Sequence, residues 1–212
     1  MAKYPRREVK RLRIEIRENQ VLLDGYVNAV ERESRVLPSP RGRFKEKIRA
    51  KTFERALDKA ENVDLLFNHN KNRKLGSLQE GNLQLYEDNI GLRAIAHVSD
   101  VEIIQKAKDG KLKGWSFGFV DNKPLWEDGE DGIQRRTLED IELLEVSILD
   151  KTPAYVATSI EARGEDQAIS ETRGADFKAE IEDRSEETRS KKDVDYSLYE
   201  KQIELLKLKG GN

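Results

Sequence analysis

Two spacings of apolar side chains divide the chain. A two-residue alternation, the period of a half-buried strand, runs through Val21 to Val27, Leu75 to Tyr86, Ile90 to Val98, Lys113-Gly-Trp-Ser-Phe-Gly-Phe119 and Ile141-Glu-Leu-Leu-Glu-Val-Ser-Ile-Leu149. Helical spacing appears at Phe53, Ala56, Leu57 and Ala60, behind Thr52 as a candidate cap. It returns from Val101 to Lys108, behind Asp100 and closed by Gly110. Leu37-Pro-Ser-Pro-Arg-Gly42 predicts a loop, because two prolines and a glycine interrupt pairing. Glu87-Asp-Asn89 would turn one hairpin, and Asp121 to Asp131 another, with Trp126 packed over its base. Two helices among mostly antiparallel strands predict an α+β domain, a β-barrel-like core decorated with helices.

The pattern changes at both ends. Lys3, Arg6, Arg7, Lys10, Arg11, Arg13 and Arg17 make residues 1–17 a basic leader, read as solvated because no aromatic residues interleave the charges as a nucleic-acid contact would need. The core is read as residues 18–160. From Glu161 to Asp195 large apolar side chains nearly vanish, so residues 161–195 predict a charged, flexible linker that buries too little surface to fold alone. Residues 196–212 regain helical patterning at Tyr199, Ile203 and Leu206, an amphipathic tail suited to a partner helix or to self-association. A disordered and helical C-terminal extension is therefore expected.

Composition narrows the chemistry. The 212 residues carry 39 basic against 41 acidic side chains, a net charge of −2 that gives no reason for a general attraction to nucleic acid. There is no cysteine, so disulfides and thiolate metal sites are excluded. The two histidines lie far apart without acidic neighbours at ligand spacing, which argues against a catalytic zinc. No cofactor is expected. No apolar run approaches a membrane span and the N-terminus lacks a signal-peptide core, so the expected location is the cytoplasm.

The serine strand is where chemistry concentrates. Trp115, Phe117 and Phe119 fall on one face and Ser116 and Gly118 on the other, so one face packs while the other offers a hydroxyl beside bare backbone. A glycine there leaves room for a peptide to approach, which suits Ser116 to nucleophilic attack. Such a serine needs a base. His69 ends the apolar run Val63-Asp-Leu-Leu-Phe-Asn-His-Asn70 at the mouth of a strand, whereas His97 sits inside a strand pattern in phase with Arg93 and Ile95 and is read as an ordinary strand residue. Glu145 is an acid inside an apolar strand, read as sharing its face with Leu143, Ser147 and Leu149. Its carboxylate would suit a histidine ring N–H as partner. Glu142 is the competitor, placed by alternation in the opposite phase.

At this point the chain resembles the prohead serine proteases of tailed bacteriophages. The resemblance is carried by Leu-Phe-Asn-His69, Gly-Trp-Ser116-Phe-Gly-Phe, Leu-Leu-Glu145-Val-Ser-Ile-Leu and Thr-Pro-Ala-Tyr155, in that order over roughly residues 20 to 160. That family is similar in fold to herpesvirus assemblin. The resemblance implies a serine endopeptidase of capsid maturation with Ser116 as nucleophile, His69 as general base and Glu145 as orienting acid. It implies oxyanion donors from the backbone around Lys151 to Tyr155, substrates among the major capsid protein and scaffold, and action inside the immature prohead in the host cytoplasm. Asn70 departs from the aspartate expected after the histidine in many members. The competing reading is a non-catalytic, scaffold-like assembly factor that uses the core as a platform and the tail to bind capsid subunits.

Overall fold

The computed structural model describes residues 11–17, 19–39, 42–150, 170–174 and 178–183. Their strands form three open sheets. The first runs in the order β14 (Lys178–Asp183), β1 (Arg11–Arg17), β2 (Gln20–Ala29), β8 (Gly91–Val98) and β7 (Leu83–Glu87). The second comprises β10 (Leu125–Glu127), β11 (Gln134–Leu138), β4 (Gly42–Ile48) and β3 (Leu37–Ser39). The third is β13 (Ser170–Gly174), β9 (Gly114–Asp121), β12 (Ile141–Leu149), β5 (Asp64–Phe67) and β6 (Asn70–Ser77). Two helices, α1 (Thr52–Lys59) and α2 (Val101–Lys108), complete the described fold. Most pairings are antiparallel; β1 with β14, β4 with β11 and β5 with β12 are parallel.

The α+β class is therefore observed, but the barrel-like closure is not. Among the described residues no sheet closes on itself. Alternation along a strand reports only that one face is buried, a condition that stacked open sheets meet as well as a barrel does.

One core joins the layers. Ile14, Ile16, Leu23 and Val27 of the first sheet pack with Trp115, Phe117, Phe119, Val146 and Ile148 of the third, and with Phe53 of α1 and Ile103 of α2. The Phe117 ring stacks on Phe119 at 5.2 Å and meets the Phe53 ring edge-on at 5.3 Å. These rings are fully enclosed. The second sheet is tied to the third by charge. Buried Arg136 donates to Asp121 at 2.6 and 3.0 Å and to Glu46 at 3.3 Å, an arrangement that is costly to break from one side because the remaining charges would be left unpaired.

Several elements differ from the sequence expectation. Residues 11–17 of the basic leader are a strand, with Ile14 and Ile16 wholly buried between exposed arginines; the density of charge hides this short alternation. The Pro-rich loop contains β3, which tolerates Pro38 because it is the edge of its sheet. Leu75 belongs to β6, paired with β5, and the hairpin expected from Leu75 onward begins only at Leu83. Thr52 is the first residue of α1, not its cap. The Glu87 carboxylate accepts the N–H groups of Phe53 and Glu54 at 2.9 and 3.1 Å, so a distant strand satisfies the helix start. Asp100 does cap α2, accepting Ile103 N–H at 3.1 Å. Within the charged linker, β13 adds to β9 and β14 to β1. Edge pairing is made by backbone groups and leaves little trace in apolar content. The amphipathic tail of residues 196–212 and the backbone from Lys151 to Tyr155 lie outside the described residues.

Candidate active site

The site is built on the third sheet, from a turn and two adjacent strands. β5 and β6 are joined by Asn68 and His69, which lie at φ 53° and 60° between the paired residues Phe67 and Asn70. Two consecutive left-handed residues make the tight turn that suits a twisted hairpin; asparagine takes this conformation readily, and histidine at some cost in strain. Local bonds hold it. The Asn68 amide nitrogen donates to Asp150 at 2.9 Å, the Asp150 N–H returns a bond to the Asn68 side-chain oxygen at 3.3 Å, and the Asn68 N–H reaches the Ile148 carbonyl at 2.9 Å. Lys106 of α2 pairs with the same Asp150 at 2.9 Å.

The turn delivers the His69 ring to β12. Its Nδ1 lies 2.6 Å from Oε1 of Glu145, whose side chain is largely buried. A carboxylate only accepts, so the neutral ring carries its proton on Nδ1 and keeps Nε2 as an acceptor. The second carboxylate oxygen accepts the Ser147 hydroxyl at 2.6 Å, and Ser147 Oγ accepts the His69 backbone N–H at 3.1 Å. Ser147 thus clamps the acid and the histidine backbone together.

Ser116 lies one strand away on the same face. It is registered directly against Ser147 across the β9–β12 ladder, and directly opposed residues of an antiparallel pair project to the same side, with Cα atoms about 4.5–5.5 Å apart. Gly118 is registered against Glu145 in the same way. His69, Glu145 and Ser147 are in contact, and Ser116 stands beside Ser147; His97 lies in β8 of the first sheet.

A bulge corrects the expected phase of the acids. Leu143 pairs with Phe119 but Glu145 pairs with Gly118, so Leu144 is the extra residue. Leu143 therefore points into the core with Phe119, not to the face of Glu145. Glu142, opposite Val120, is on the same face as Glu145 and not the opposite one, although it is exposed and sits farther along the strand from His69. Simple alternation fails here because an inserted residue shifts every position before it by one.

Gly118 has a steric reason to be glycine. A Cβ built there would fall 2.6 Å from Oε1 of Glu145. That oxygen already holds His69, so the carboxylate could yield only by loosening its bond to the ring. Gly118→Ala is accordingly expected to lower kcat/KM about 10–100-fold, the equivalent of roughly 1.4–2.7 kcal/mol of lost positioning. Steady-state cleavage kinetics beside a thermal melt check this: activity should fall while the melting temperature stays near wild type.

The roles of Ser147, Asn68 and Asp150 are not legible in the sequence. Ser147 stands out there only as a polar residue two positions beyond Glu145 and on its face, and Asn68 only as a polar residue after an apolar run. Among the described residues no cluster of histidine, aspartate and glutamate could hold a metal ion. No helix among the described residues is long and apolar enough to cross a membrane. A groove at the junction of α1 and β12, lined by Ala56, Lys59, Asn62, Asn122 and Glu142, includes neither His69 nor Ser116.

With this geometry in view, comparison with known proteins is decisive for the family. The family model described as caudovirus prohead serine protease matches residues 8–173, from just before β1 to within β13. The chain belongs to that family. No curated protein and no solved structure gives a significant match.

Proposed function

We propose that this chain is a serine endopeptidase of capsid maturation, cleaving extensions of the major capsid protein or scaffold inside the phage prohead. Membership of the prohead serine protease family supports the reaction class and capsid proteins in general as substrates. The observation that carries the residue assignment is the 2.6 Å contact between His69 Nδ1 and Glu145 on the strand beside Ser116. In this reading His69 Nε2 takes the Ser116 proton as Oγ attacks the scissile carbonyl. The C–N bond then breaks, the leaving amine receives that proton, and water hydrolyses the acyl-enzyme by the same relay. Glu145 holds the ring tautomer and stabilises the imidazolium, and Ser147 fixes Glu145.

The test is cleavage of the purified capsid and scaffold proteins by wild type beside Ser116→Ala. Hydroxyl-dependent cleavage is expected; intact substrate in both reactions would favour the assembly-factor reading. The same proteins test self-processing. The motivation is composition, since apolar content is low after Ile160, and a protease enclosed in a shell need not keep a docking segment once inside; β13 and β14 are the parts of this region that pair with the core. Intact-mass spectrometry should show a wild type shortened beyond about residue 160 and a full-length Ser116→Ala chain. Two full-length chains, under conditions where the capsid protein is cut, would reject self-processing alone.

A further inference from the structure

The two flanks of Ser116 within its sheet are unequal. On one flank lie β12 with Glu145 and then β5, whose turn carries His69; on the other lies only β13, the edge of the sheet. The leaving amine must stay within reach of His69 Nε2, so the carbonyl oxygen and the acyl portion of the substrate lie on the side of Ser116 away from the ring. The acyl portion of the peptide to be cut therefore belongs on the β13 flank. There the backbone N–H and C=O groups along the edge of β9 would take up an extended segment as an added strand.

That edge is already filled. β13 runs antiparallel to β9, with Gly174 opposite Ser116, Thr172 opposite Gly118 and Ser170 opposite Val120. Glycine in the register of Ser116 brings no side chain to that position. Ser116 is also 0% exposed, so no incoming carbonyl reaches its hydroxyl until part of the chain withdraws. On its other flank β9 is held by β12 within the core, whereas among the described residues β13 has no further strand beyond it. A five-residue edge strand is the element that can leave without opening the core.

We propose that residues 170–174 are an intramolecular stand-in for substrate, filling the strand-addition edge of β9, and that an extended capsid-protein segment enters by replacing them. The proposal rests on the protease reading of Ser116 and adds where substrate lies and what guards its place. Affinity for a competing strand is then lowered by the fraction of molecules in which β13 is displaced.

The experiment uses the full chain in a Ser116→Ala background, so nothing is cut. The probe is a labelled synthetic peptide of residues 168–176. Glu171→Pro with Thr172→Pro removes whichever of these neighbouring N–H groups bonds to β9, and Glu171→Ala with Thr172→Ala keeps both. At least about tenfold tighter peptide binding is expected for the proline variant than for the alanine variant, as relief of an internal competitor requires. Hydrogen exchange at Phe117 to Val120 should be faster in the proline variant and slow again when the peptide is added. Equal binding by both variants, absence of protection at β9, or global unfolding of the proline variant would overturn the proposal, the last by making β13 a structural strand. Because the readout is binding, these outcomes are independent of the cleavage assays that judge the protease reading.

Discussion

Ser116→Ala and His69→Ala are each expected to reduce cleavage of the capsid substrate by about four to six orders of magnitude in kcat/KM, with the fold intact. Their losses should not add. Nucleophile and base act as one unit, so the double variant should be nearly as active as either single variant. The fold is expected to survive for different reasons at the two positions. At Ser116 the change removes one buried oxygen from a strand whose packing face is Trp115, Phe117 and Phe119, leaving that aromatic face untouched. At His69 the ring lies at the tip of a turn held by Asn68, Asp150 and the Ser147 bond to the backbone N–H, all of which remain. Alanine in the left-handed conformation of His69 will cost some stability, on the order of 1 kcal/mol, and a thermal melt should show it. Full activity in Ser116→Ala would remove this residue as the nucleophile. Retained activity in His69→Ala would require another base, and His97 in a different sheet is not placed to supply it.

Where one local rule decides the structure, the sequence reads clearly. The serine strand shows its two faces because aromatic and small residues alternate without interruption, and the structure buries the rings as the alternation implies; the face of Ser116 and Gly118, read as open to a peptide, is buried as well, with the Glu145 carboxylate against Gly118. Asp100 is recognisable as a cap because side chain and helix start are neighbours. The start of α1 is not, because its acceptor, Glu87, lies 34 residues from Phe53 in the chain. The phase of Glu142 was lost to a single inserted residue, Leu144, which shows itself only when both strands of the ladder are known. β1, β13 and β14 are hidden in the sequence for a related reason. Short segments rich in charge pair through their backbones, and a count of apolar residues does not register backbone bonds. At the site, the residue types were legible as candidates, but the clamp by Ser147 and the left-handed turn that delivers His69 come from the tertiary arrangement.

Glu145→Gln should separate orientation from proton transfer. The carboxylate has two acceptor oxygens, one for His69 Nδ1–H and one for the Ser147 hydroxyl, whereas an amide has one oxygen and one NH2. If the NH2 faces the ring, His69 must accept at Nδ1 and place its proton on Nε2, where it no longer serves as a base. If the NH2 faces Ser147, the ring keeps its working tautomer, but the imidazolium loses the negative charge that stabilises it. The variant divides between these states, so kcat should fall by about three to four orders of magnitude yet stay measurably above Ser116→Ala. KM should change little, since the acid does not reach substrate. Glu142→Gln is the control. It shares the face of Glu145 but is exposed and farther from His69, and near wild-type kinetics are expected. Steady-state kinetics of the three variants on one capsid substrate decide the matter: if Glu145→Gln runs at the wild-type rate, Glu145 is not the orienting acid, and a collapse of Glu142→Gln would transfer that role to the neighbour brought onto the same face by the bulge.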